Sequence, residues 1–222
     1  MSSCPSRPAG SGGCVRFNGR PWPEAGRAVR FVLASGNAHK LRELGALLAP
    51  HELVPLADGL ALPPEVGDSF RANALAKARY VTAQTGSAAV ADDSGIEAAA
   101  LRGAPGVRSA RYAGEGATDK ENLGKLLREV PSGGDTRVAY VCALAIVWPD
   151  GTEMVAEGRC EGRLTHEPRG AGGFGYDPAF LPYDLSGGLT MAEISAEEKS
   201  AISHRGRAAR ALLGDLERIE AA

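Results

Sequence analysis

Asp92 and Asp93 are adjacent carboxylates set between a short apolar run, Ala88-Ala89-Val90, and the pair Ser94-Gly95. The run reads as a buried strand. The acids then fall where that strand ends, the place where an open α/β sheet holds its ligands and where an Asp can bind a metal or activate a water. Neighbours on a strand face opposite sides, so both acids serve one site only if the strand has ended before them. Asp-Asp-Ser-Gly is also ordinary turn chemistry, and the pair alone does not choose between a site and a strand cap.

A second candidate lies upstream. Arg30-Phe31-Val32-Leu33-Ala34 reads as a core strand running into Ser35-Gly36-Asn37-Ala38-His39-Lys40, and a helix follows with Leu41, Leu44 and Leu48 on one face. Strand, glycine turn and helix start present backbone N–H groups and the positive end of a helix to an anion. Ser35, Asn37 and Lys40 add donors there. The turn lacks the Walker spacing, so it points to phosphate without naming a nucleotide. Further on, Gly170 to Pro178 holds four glycines around Phe174, Tyr176 and Asp177. That composition allows close backbone approach beside two aromatic rings and a carboxylate, which suits a planar base or a sugar. Ser203-His204-Arg205 reads as the N-cap and first turn of a last helix. A His and an Arg there oppose the helix dipole, so their placement asks for a reason such as a ligand.

The elements that must position these groups can be read in order. Glu65-Val66-Gly67-Asp68-Ser69 leads into a helix from about Phe70 to Gln84, on which Asn73 and Lys77 share a face. Small residues surround Lys77, so a ligand could approach it. Gly103 to Gly114 is a loop crowded with turn formers. Thr118 with Glu121, and Ser195 with Glu198, are capping boxes; the second opens a helix carrying Lys199. Arg137 to Trp148 is apolar on both faces and should lie centrally in a sheet, with Pro149-Asp150-Gly151 turning it into an antiparallel partner. The expected fold is therefore α/β around a central mixed sheet flanked by helices.

Composition narrows the class. The 222 residues, 44% hydrophobic and 23% charged with a formal net charge of -2, suit one soluble domain or two joined lobes. No overall basic field argues for nucleic acid, and no apolar run approaches the roughly 18 residues of a membrane span. Cys4, Cys14, Cys142 and Cys160 contain no Cys-x-x-Cys pair and read as reduced thiols of a cytoplasmic protein. Residues 1–29, rich in Gly, Pro, Ser and Arg with no periodic apolar pattern, read as a dispensable, disordered extension ahead of a domain over 30–222.

Five stretches in order, Ser-Gly-Asn-Ala-His-Lys from Ser35, Ala-Asp-Asp-Ser-Gly-Ile from Ala91, the loop Gly103 to Gly114, Gly-Gly-Phe-Gly-Tyr-Asp-Pro from Gly172, and Ala-Glu-Glu-Lys-Ser-Ala-Ile-Ser-His-Arg-Gly from Ala196, resemble the Ham1/inosine triphosphate pyrophosphatase family, its bacterial branch most closely. The resemblance spans about residues 30 to 220. It implies an elongated two-lobed α/β protein, usually a homodimer, with a nucleotide cleft between the lobes. The implied activity is Mg2+-dependent hydrolysis of ITP, dITP and XTP to the monophosphate and pyrophosphate. Carried over by position, Ser35, Gly36, Asn37, Ala38, His39 and Lys40 would form the first phosphate-binding turn. Asp93 would activate water and hold Mg2+ with Glu65, and Ser94 would touch substrate. Lys77 would reach phosphate, Phe174, Gly175, Tyr176 and Asp177 would line base and ribose, and Lys199, His204 and Arg205 would complete the pocket. Two other readings stay open: a Maf-like pyrophosphatase of modified nucleotides, and a nucleotide sensor without turnover.

Overall fold

The computed structural model describes residues 28–220 and, upstream of them, 16–17 and 20–21. Strands β1 (Arg16–Phe17) and β2 (Arg20–Pro21) pair antiparallel. The rest of the N-terminal stretch, with Cys4, Cys14 and the expected lack of order, lies outside the described residues. Val29 already belongs to the domain. Its N–H donates to His51 Nδ1 at 3.2 Å, and its carbonyl accepts from the Glu52 N–H at 2.9 Å.

The chain continues as β3 (Arg30–Leu33), α1 (Ala38–Leu47), β4 (Glu52–Val54), α2 (Phe70–Thr85), β5 (Ala89–Ala98), α3 (Asp119–Glu129), β6 (Arg137–Val147), β7 (Glu153–Leu164), β8 (Phe180–Pro182), α4 (Ala196–Ile202) and α5 (His204–Glu220). One six-stranded sheet runs in the order β4-β3-β5-β6-β7-β8. β3 is parallel to both β4 and β5, and the remaining neighbours are antiparallel, so the sheet is mixed as expected.

Period two decides which helix covers which face. On β6, Cys142, Leu144 and Ile146 pack with Phe31, Leu44, Ala208 and Leu212 under α1 and α5. The alternate residues Ala143, Ala145 and Val147 pack with Phe70, Ala74, Ala78 and Val81 of α2 on the other face. At the far end of the sheet Ile96, Tyr140, Cys160, Phe180 and Met191 join Leu123 and Leu126 of α3 in a further core, which makes the second lobe. α5 sits hard against β7. A Cβ at Gly158 would stand 2.1 Å from the His204 carbonyl oxygen and 2.5 Å from the Ala208 nitrogen, so glycine there sets how deeply the first turn of α5 enters the cleft.

The structure corrects one expectation at its most important point. β5 does not end before the acids; it runs through Asp92, Asp93, Ser94 and Gly95, paired with β6 along its whole length. Asp92 therefore faces α1 and α5, and Asp93 faces α2. What ends early is the neighbour on the other side. β3 pairs with β5 only at Ala89 and Val90 and then turns into α1, leaving one edge of β5 without a neighbouring strand from Ala91 to Gly95; beyond it the Ile96 N–H donates to Ser109 Oγ and Glu97 bridges Pro105. α1, which follows β3, and α2, which precedes β5, lie on opposite faces of the sheet, and the end of β3 beside β5 is the kind of place where an open sheet holds a ligand crevice.

Candidate active site

The turn that leads from β3 into α1 is held by its own side chains. Asn37 is the N-cap of α1, and its Oδ1 accepts from the N–H groups of His39 at 2.8 Å and Lys40 at 3.3 Å. Its own N–H donates to Ser35 Oγ at 3.2 Å. Three of the backbone donors expected to meet an anion, those of Asn37, His39 and Lys40, are thus already satisfied within the turn. The charged donor of the segment is the half-buried Lys40 ammonium, which pairs with Asp92 Oδ1 and lies 3.4 Å from the Asp92 carbonyl oxygen on the open edge of β5.

On the α5 face Asp92 is fully buried and heavily bonded. Arg205 Nε donates to its Oδ2 at 2.9 Å, the Cys142 thiol lies 3.1 Å from the same oxygen, and Ser94 Oγ donates to Oδ1 at 3.0 Å. Burial alone would push the Asp92 carboxyl up, but the charges of Arg205 and Lys40 outweigh it and hold it well below the usual range. Arg205, 2% exposed, extends one NH group to Glu43 Oε2 at 2.5 Å and the other to Ser94 Oγ at 2.9 Å. Lys199 joins the network by donating to Glu43 Oε1 at 2.9 Å and Asp177 Oδ2 at 2.8 Å. Burial would raise Glu43 too, and Arg205 and Lys199 together keep it lowered. The placement of Arg205 at a helix start is thereby explained: buried carboxylates, more than the helix dipole, set its environment.

On the α2 face Lys77 is buried and donates to Glu65 Oε1 at 2.5 Å, to the Asp92 carbonyl at 2.9 Å and to Asp93 Oδ1 at 3.0 Å. An ammonium has three donors, and these three acceptors use them all. Asp93 Oδ2 accepts from Asn73 Nδ2 at 3.1 Å, while Arg111 approaches Glu65 Oε2 at 3.3 Å. Burial pushes the Asp93 carboxyl up to about 6, the Glu65 charge adds to the rise, and Lys77 and Asn73 oppose it. Glu65 itself is lowered, since Lys77 more than offsets its burial. Two carboxylates share one ammonium, and Asp93, the more enclosed, is the one that holds a proton more readily.

The two faces meet at the Asp92 carbonyl, which takes hydrogen bonds from Lys40 and Lys77 alike. The acids that strand geometry sends to opposite faces thus border one open strand edge. Beside it a cavity is lined by Lys40, Ser94, Tyr140, Phe174, Tyr176 and His204 among others. Phe174 stands over Lys199 and Arg205 with ring distances of 5.0 and 5.6 Å, and 5.3 Å from the His39 ring. His204 stacks on Tyr140 at 4.6 Å with planes 9° apart. Burial, helped by the Arg205 charge, lowers the imidazole well below its usual range, so it is neutral, and its Nδ1 has no partner.

Of the residues expected at the site, Asn37, Lys40, Ser94, Phe174, Gly175, Tyr176, Asp177, Lys199, His204 and Arg205 gather around this cavity, while Asp93, Glu65 and Lys77 form the cluster on the other face of the strand. Ser35, Gly36, Ala38 and His39 lie on the turn at its rim. Asp177 is turned inward: Oδ1 accepts from the Tyr140 hydroxyl at 3.0 Å, and Oδ2 accepts from Lys199 and the Phe174 N–H. It shapes the glycine loop from within. Sequence reasoning does not single out Glu43, Tyr140 or Asn122. Glu43 alone carried a signal, since it stands three residues after Lys40 and so on the same side of α1.

Comparisons with known proteins give the family of the chain. The family model described as Ham1 family matches residues 31–215. The dITP/XTP pyrophosphatase of Streptomyces coelicolor is 48% identical over 194 residues, 83% of this chain and 96% of that relative. The dITP/XTP pyrophosphatase of Thermus thermophilus is 48% identical over 192 residues, 84% of this chain and 91% of its own. Among solved structures, the Staphylococcus aureus Ham1 protein superposes with a TM-score of 0.75 at 35% identity, covering 85% of this chain and 98% of that one. The matched span begins in β3 and ends within α5, taking in every residue of both charged clusters, and on these likenesses the chain belongs to the Ham1 family.

Proposed function

We propose that this chain hydrolyses deaminated, 6-oxo purine nucleoside triphosphates (ITP, dITP and XTP) to the monophosphate and pyrophosphate, clearing them from the nucleotide pool. The observation that carries the reading is Asp93, a buried carboxyl held up to about 6 beside Glu65 at an open strand edge. Relatives named dITP/XTP pyrophosphatases supply the substrate class.

Glu65 and Asp93 would hold a Mg2+. Their Oε1 and Oδ1 atoms already converge on one cationic atom, Lys77 Nζ, at 2.5 and 3.0 Å, and carboxylate oxygens are the donors this ion takes. Among the described residues no group of three or more His, Cys, Asp or Glu forms a cage. That suits an ion held by one or two carboxylates and completed by water and phosphate oxygens. Bound there, it would neutralise charge on the reacting phosphate.

The chain's own groups account for the rest. Asp93 accepts one hydrogen bond from Lys77 and one from Asn73, which leaves lone pairs for a water. It takes a proton from that water as the oxygen attacks the α-phosphorus. The bond from the α-phosphorus to its bridging oxygen breaks, and pyrophosphate leaves with the electron pair. Lys40, whose side chain is 15% exposed against 6% for Lys77, is the lysine placed to meet the triphosphate, and Lys77 remains counter-charge to the carboxylates. Phe174 offers its ring to the base. A donor from His204 or Arg205 to the 6-oxo oxygen would be left unpaired by a 6-amino purine, a penalty of about 1–3 kcal/mol.

Pyrophosphate release measured on ITP, XTP, dITP, GTP and ATP, with and without Mg2+, tests the reading. ITP, dITP and XTP, the 6-oxo substrates without a 2-amino group, are expected to turn over fastest and only with the metal. Equal rates on ATP, or no release from any purine, would contradict it. The family likeness also supports a homodimer, and light scattering that returns a monomer mass at micromolar concentration would count against one. The same reading puts the chain in the cytoplasm, in keeping with Cys142 and Cys160 as free thiols and with the absence, among the described residues, of any helix long and apolar enough to cross a membrane. Recovery of the chain in a membrane fraction would argue otherwise.

A further inference from the structure

Asn73 takes no part in the cavity, yet it is 2% exposed and both ends of its amide are engaged. Its Oδ1 accepts from the Gly67 N–H at 2.8 Å, and its Nδ2 donates to Asp93 Oδ2 at 3.1 Å. A backbone N–H can be met only by the amide oxygen, so the NH2 group must face the carboxylate; the orientation is forced. Gly67 lies two residues after Glu65. A Cβ at position 67 would stand 2.5 Å from Asn73 Oδ1, so only glycine lets the loop come this close. One turn further along α2, Lys77 holds the other oxygen of Asp93 and the carboxylate of Glu65. The ammonium is a compact charge on a flexible stem and can follow its partners as they move. The planar amide is fixed at both ends.

We propose that Asn73 is a positioning residue for the hydrolysis: it clamps the Glu65 segment to α2 and fixes the rotation of the Asp93 carboxylate, so that the two carboxylates keep one separation and Asp93 presents one lone pair to the water. The proposal rests on the reading of Asp93 as the water-activating group. Lys77 alone leaves Asp93 able to pivot about a single contact. Asn73 touches no part of the cavity that would hold the nucleotide, so its loss acts on the chemical step and leaves binding as it was.

Asn73→Ala and Gly67→Ala reach the clamp from its two ends, and each is compared with Asp93→Asn in ITP hydrolysis, with thermal melts alongside. Each clamp variant is expected to lower kcat by about 10- to 100-fold, the scale of a misplaced catalytic group, with KM within about twofold of the parent. Asn73→Ala added to Asp93→Asn should cost no more than about twofold further, because the group it positions is already gone. If Asn73→Ala does not fold, Gly67→Ala carries the test, since it alters a half-buried loop position only. Parental kcat in the clamp variants, or a full additive loss in the Asp93→Asn background, overturns the proposal while leaving the role of Asp93 standing. Parental turnover in Asp93→Asn itself removes the reading of Asp93 and the clamp with it.

Discussion

Asp93→Asn is expected to lower kcat by about two or more orders of magnitude, the scale of losing a general base. KM for the nucleotide should change little, because the groups bordering the cavity stay in place. The substitution also has a structural cost that follows from the bonds Asp93 makes. Lys77 donates to one of its oxygens and Asn73 to the other, and an amide has one oxygen only. When that oxygen turns to Lys77, the new NH2 group faces the NH2 of Asn73, so one buried donor loses its acceptor, at about 1–3 kcal/mol. Lys77 retains Glu65 and the Asp92 carbonyl, which keeps the fold intact. Kinetics measured well below the melting temperature therefore separate the two effects. A variant with parental kcat and a lower melting point would show that Asp93 is a structural acid, and the proposed chemistry would need another base.

How much of this was legible in the sequence depended on whether the partners were near in the chain. Both capping boxes, Thr118 with Glu121 and Ser195 with Glu198, are present as read, because each closes over three residues. The hairpin at Pro149 to Gly151 and the doubly buried β6 followed from local pattern as well. Asp92 and Asp93 did not. Two adjacent acids inside a central strand look untenable until Arg205, 113 residues away, and Lys40, 52 away, are brought against the first. Without those charges the turn reading was the reasonable one. Lys77 shows the same limit. Its alanine neighbours suggested room for a ligand, whereas folding fills that room with Glu65 and Asp93. The residue types of the site were readable, and their pairing was set by tertiary contacts between distant segments.

Arg205→Ala is expected to destabilise the protein before it changes specificity. Arg205 and Asp92 are 2% and 0% exposed, and removing one partner of a buried pair leaves the other charge without compensation, a loss of about 3–5 kcal/mol. The lower end is the better expectation here, because Asp92 keeps Lys40 and Glu43 keeps Lys199. Adding Asp92→Asn removes the stranded charge, so the double variant should be less destabilised than the sum of the two single ones. Lys40, on the solvent side of that pair, can then turn outward. What stays folded should show a raised KM and a weaker preference for ITP over GTP, since Arg205 reaches Ser94 and stands over Phe174 in the cavity. Denaturant melts of the single and double variants, run beside the substrate panel, read the two consequences independently. Parental stability in Arg205→Ala would mean that the buried ion pair contributes little to folding. Unchanged KM and base preference in the folded fraction would place substrate recognition on His204 and Phe174 instead.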